Sequence, residues 1–73
     1  MTVEEAYQQY GAKTHIVSEG ENIVFLTRRL YNSDNDNYVN ILKVLNPRVN
    51  WLSMPAGTVI QYLDPDVVNS ILY

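Results

Sequence analysis

The sequence contains no cysteine and a single histidine. No disulfide can form, and the two side chains that most often hold structural zinc are all but missing. Small domains rely on one of those staples or on a partner, so a partner is the reinforcement this composition favours. Cations are scarce too, with five Lys and Arg against eight Asp and Glu and a formal net charge of −3. A general nucleic-acid binder needs a basic face to displace counterions, and the composition argues against that class. No apolar run approaches membrane-spanning length, and no basic segment leads into a short apolar one at the start. The chain as written is therefore expected to be made in the cytoplasm without an export signal. Glycine is equally sparse, and Gly20 has neither a Gly-rich run nor a following lysine to make a phosphate loop.

What remains is a folded globular chain. Hydrophobic residues make up 47% and charged residues 18% of its 73 positions, enough for one small core and no second one. A core of this size supplies no more than about 3–5 kcal/mol of net stability.

Residues 2–11, "TVEEAYQQYG", place Thr2 three positions before Glu5, a capping box. Val3, Ala6, Tyr7 and Tyr10 then share one helical face, and Gly11 ends the run. Such a helix is shorter than the ~12 residues that persist alone in water, so its Val/Tyr face needs something to pack on. Thr14 to Ser18 is short and β-branched, which predicts a strand. Glu19 and Gly20 supply a turn, after which Ile23, Leu26 and Leu30 predict an amphipathic helix. Glu21 stands near its start and Arg28 and Arg29 near its end, as the helix dipole favours. Asn32 to Asn37 is loop. Asp36 is read as the cap of a further helix carrying Tyr38, Ile41, Leu42 and Leu45 on one face, closed by Asn46 and Pro47. Thr58 to Leu63 alternates and predicts a second strand. Asp64-Pro65-Asp66 opens a last short helix with Val67, Val68, Ile71 and Leu72. The expected fold is α+β, with two helices on one face of a two-stranded antiparallel sheet. The expected parts are an N-terminal arm or short helix over 1–13, a core over 14–63 and a C-terminal arm or short helix over 64–73.

Three stretches in this order, "HIVSEGENIVFLTRRLY", "YVNILKVLNP" and "MPAGTVIQYL", resemble a LysM domain from His15 to about Leu63. The polar loop Asn32–Asn37, the following Tyr38 and "NILKVLNP" are similar to the short LysM-like proteins of contractile phage tails and related injection machines. Glu21 stands where the family usually has Asp. Wall-binding LysM modules usually occur in several copies beside a catalytic domain, whereas this sequence carries one copy. The resemblance implies a βααβ core and a non-enzymatic structural adaptor of a phage tail or baseplate, joining larger tail proteins and located in the virion. It equally implies an alternative, a carbohydrate-binding module for N-acetylglucosamine-containing peptidoglycan or chitin. That module would use a groove between Glu19, Gly20, Glu21 and Asn22 on one side and Met54, Pro55, Ala56 and Gly57 on the other. The bland reading is that both segments only make turns.

Interface anchors are usually aromatic residues and arginine. Tyr7, Tyr10, Arg28, Arg29, Trp51, Val68, Ile71, Leu72 and Tyr73 are the expected protein contacts. In the competing reading the terminal segments pack on the core of their own chain. Other chemistry has little support. Asn32, Asp34 and Asp36 alternate like the start of a calcium loop, but Asn37 and Lys43 stand where that loop needs Gly and Glu. His15 has no evident carboxylate at a useful spacing, and Glu19 and Glu21 flank a turn without an apolar pocket to raise a pKa. No catalytic residue, metal or cofactor is expected.

Overall fold

The first three helices start where a side-chain oxygen meets an orphan amide. The computed structural model of the chain describes residues 1–72. Thr2 and Glu5 close the capping box reciprocally: Glu5 N–H donates to Thr2 Oγ1 at 3.1 Å and Thr2 N–H to Glu5 Oε1 at 3.3 Å. Helix α1 runs Val3–Tyr10 and stops at Gly11, whose φ of 73° is open to glycine at no steric penalty. Strand β1, Lys13–Ile16, pairs antiparallel with β2, Val59–Tyr62, in the register Thr14 opposite Gln61 and Ile16 opposite Val59. At the end of the ladder Val17 donates to Thr58 O and accepts from Gly57 N–H, both at 2.8 Å. Two residues thus oppose one, a bulge that turns the returning chain.

Helix α2 spans Ile23–Tyr31 and α3 spans Asp36–Leu45, the two helices that connect the strands. The α2 cap is Asn22, whose Oδ1 accepts from Phe25 N–H at 2.9 Å. Glu21, expected as the acidic residue of the helix start, lies outside the helix. Asn35 rather than Asp36 caps α3, and Asp36 sits in its first turn. In both cases an Asn Oδ1 takes the cap in place of a neighbouring carboxylate: Asn22 stands one residue nearer the helix than Glu21, and Asn35 one residue nearer the loop than Asp36. Asn32, at φ 56°, ends α2 in the left-handed conformation that Asn tolerates better than most residues. Helix α4, Pro65–Leu72, begins after Asp64, whose carbonyl accepts from Val68 N–H at 3.0 Å.

The result is α+β: a β–α–α–β core with one helix added at each end. The inner face of the sheet is covered, with Ile60 fully buried, while its outer face leaves Ile16 and Val59 in water. Two apolar clusters form the interior. The smaller joins Val17, Leu26 and Ile60. The larger joins Tyr31, Ile41, Leu42 and Leu63 with Ala6 of α1 and Val68 of α4. The terminal helices therefore pack on the core of their own chain.

Val68 is corrected by this packing. Val68 is 0% exposed, so as a contact for another protein it is out of reach in this fold. Trp51 is half-buried and packs against both clusters, joining them from the loop after α3. Ile71 and Leu72 are half-buried against the larger cluster. Tyr73 lies outside the described residues.

Candidate functional site

The turn from β1 to α2 concentrates the polar chemistry. Glu21 is the centre, its side chain only 9% exposed. Its Oε1 accepts from Ser18 N–H at 2.6 Å and lies 3.2 Å from His15 Nε2. Its Oε2 accepts from Arg29 Nη1 at 3.2 Å. One carboxylate thus ties the strand, the turn and the helix together. The Ser18 amide above all holds Glu21 below the usual carboxylate range; burial opposes this, and His15 and Arg29 add to it. A carboxylate held ionised in this way cannot serve as a general acid at neutral pH. His15 was expected to lack a carboxylate at a useful spacing, and Glu21, six residues on, corrects that expectation. Spacing alone missed it because the turn folds position 21 back beside the strand.

Glu19, Gly20 and Glu21 line a shallow depression, and its remaining walls are Ser18, Phe25, Arg28 and Arg29. None comes from Met54, Pro55, Ala56 or Gly57. Asn22 is engaged as the α2 cap. Met54 and Pro55 line a separate hollow with Arg48, Val49, Asn50, Ser53 and Thr58. Backbone bonds of Val17 to Gly57 and Thr58 bring the two expected walls close in the chain, yet each opens onto its own depression. The single two-walled groove predicted from sequence is therefore divided.

The expected protein contacts are also spread out. Tyr7 lines a groove between α1 and α3 with Val3, Gln8, Val44 and Gln61. Tyr10 is 55% exposed at the end of α1. Arg28 and Arg29 remain on the surface at the other depression, each in an ion pair: Arg28 with Asp34 at 2.7 Å and Arg29 with Glu21. Arg28 in turn lowers the Asp34 pKa through that bond.

Sequence reasoning missed several groups. Leu52 is 99% exposed, and Phe25, Val44, Ile16 and Val59 each stand more than half in water. Periodicity could have flagged Phe25 and Val44, which fall off the buried faces of their helices. Leu52 carries no such signal in an irregular loop. Among the described residues no helix is long and apolar enough to cross a membrane. No family profile, curated protein or solved structure matches this chain.

Proposed function

We propose that the chain is a non-enzymatic structural adaptor of a phage tail, baseplate or related contractile injection particle, joining larger proteins through its βααβ core. One observation carries the adaptor part: Tyr10, Ile16, Phe25, Val44, Leu52 and Val59 each stand more than half exposed. Large apolar side chains in such number on so small a body fit surfaces that neighbours cover. The placement in a tail particle rests on the resemblance of residues 15–63 to LysM-like tail proteins. The partners are other tail or baseplate proteins, with no nucleic acid or membrane involved.

The terminal helices contribute rigidity in this reading, since Ala6 and Val68 are core residues. Tyr7, Tyr10, Arg28 and Arg29 remain as surface contacts. A second reading, recognition of N-acetylglucosamine polymers, is favoured by the depression at Ser18–Glu21, where the half-exposed Phe25 ring stands beside polar groups.

Purified particles from cells encoding the chain test the first reading, by mass spectrometry and by electron microscopy of particles lacking it. Intact, functional particles without the chain would refute it. Amide shifts on adding N-acetylglucosamine oligomers, confined to residues 18–25, would promote the second.

A further inference from the structure

The outer face of the sheet combines three features. Ile16 and Val59 sit directly opposite one another in the ladder and are 65% and 56% exposed. Cross-strand apolar pairs of this kind normally face a second layer. Next to them a depression is lined by Thr14, Val59, Gln61, Pro47, Arg48 and Val49. Its floor is stiff, because Asn46 clamps the flank of β2: Gln61 N–H donates to Asn46 Oδ1 at 2.7 Å and Asn46 Nδ2 donates to Gln61 O at 2.8 Å.

The charge at its rim identifies the occupant. Of the five Lys and Arg in the chain, Lys13, Arg28 and Arg29 each hold a carboxylate, Asp64, Asp34 and Glu21. Lys43 and Arg48 hold none among the described residues, although the chain carries an excess of acid, and of these two it is Arg48 that lines the depression. An exposed guanidinium beside an apolar face complements a carboxylate presented beside apolar side chains.

We propose that this outer sheet face, Ile16 and Val59 with Arg48 at the rim, docks an acidic, aliphatic segment of a partner protein. The partner lays aliphatic side chains over Ile16 and Val59 and sets a carboxylate on Arg48. This deepens the adaptor reading by giving one partner a place and a chemistry. The test below requires no particle, so it fails or succeeds separately from the particle experiment.

The probe is a short synthetic peptide with leucines on one face and glutamates on the other, titrated into the labelled 73-residue chain and followed by amide NMR. A matched peptide with lysine in place of glutamate is the control. The acidic peptide should give saturable shifts centred on Thr14–Ile16, Arg48 and Val59–Gln61, while the lysine peptide should not. Arg48→Glu should weaken the acidic peptide by about fivefold or more, the range open to one exposed ion pair reversed in sign, and should favour the lysine peptide. Val59→Ser, at an exposed position, should weaken the acidic peptide while leaving the fold intact. Equal shifts with both peptides, shifts elsewhere or no shifts would overturn the proposal. So would concentration-dependent shifts without peptide, which would assign the face to a second copy of the chain.

Discussion

Replacing Asn46 by alanine should come close to unfolding the protein. Asn46 is 7% exposed, and its amide makes three bonds: Nδ2 donates to Leu42 O and to Gln61 O, each at 2.8 Å, and Oδ1 accepts from Gln61 N–H at 2.7 Å. It closes helix α3 and satisfies the flank of β2 at once. Alanine removes all three bonds and leaves the Gln61 amide and carbonyl without their partner. Each such buried group costs about 1–3 kcal/mol. Water relieves part of this at half-buried Gln61, so the loss is roughly 2–4 kcal/mol in total. The whole domain has about 3–5 kcal/mol to lose. Urea denaturation followed by far-UV circular dichroism measures the change, with the slope against denaturant checking that the transition stays two-state. Asn46→Asp separates hydrogen bonding from volume, because it keeps the shape and the acceptor but aims a carboxylate at two carbonyls. It should destabilise at least as much as alanine. A loss below about 0.5 kcal/mol for alanine, or an aspartate variant as stable as the parent, would refute the clamp.

Three further outcomes follow from the interior and the turn. Tyr31 O–H donates to Leu63 O at 2.9 Å inside the core, so Tyr31→Phe should lower stability by about 1–2 kcal/mol and shift the urea midpoint accordingly. Burial also pushes the Tyr31 phenol above its ordinary value of 10.0; stability is full below that value and should fall as pH rises past it, an alkaline loss that Tyr31→Phe reduces. Glu21 has its pKa lowered from 4.5, so its stabilisation is present above that value and is lost as pH falls through its folded pKa. Glu21→Gln should cost about 1 kcal/mol at neutral pH and flatten the acid limb of a thermal-melt series, whereas an unchanged limb would remove Glu21 from the account. Val68→Ala should cost about 1–3 kcal/mol by opening a cavity in the larger cluster; a silent substitution in calorimetry would mean that α4 does not share the core.

The elements legible in the sequence were those with local causes. The Thr2–Glu5 box, the Gly11 stop, the Leu26 and Leu42 faces and the alternating β2 strand all depend on residues within a turn or two of each other. Where the reading slipped, the cause was long-range or a competition between neighbours. Glu21 and Asn22 are both plausible caps, and only the folded turn shows that Asn22 takes the helix while Glu21 takes Ser18, His15 and Arg29. Tyr31 looked no different from the other tyrosines, because its bond to Leu63 spans 32 positions. Asn46 was legible as a helix stop but not as a clamp on β2, since its partner lies 15 residues away. The divided groove was hidden for the same reason: the hydrogen bonds that join residues 17, 57 and 58 were readable as turns, but not the direction in which each turn opens.

The placement of polar groups bears on how the molecule meets its partners. Thr27, Asn46 and Tyr31, the buried residues with polar side chains among those described, each spend their donors on backbone carbonyls, and no buried side-chain polar atom lacks a partner. Glu21 is similarly committed. Polar chemistry in the interior thus serves the fold, and recognition falls to groups already in water: the Ile16–Val59 pair, Leu52, Phe25, the surface tyrosines and Arg48. Such groups gain affinity only when a neighbour excludes water from them. A single peptide should therefore bind the isolated chain weakly, and several contacts made together should hold it firmly, because each later contact forms at high effective concentration. That pattern is what the proposed adaptor should show, whereas a module that must hold one small ligand unaided should bind it firmly on its own.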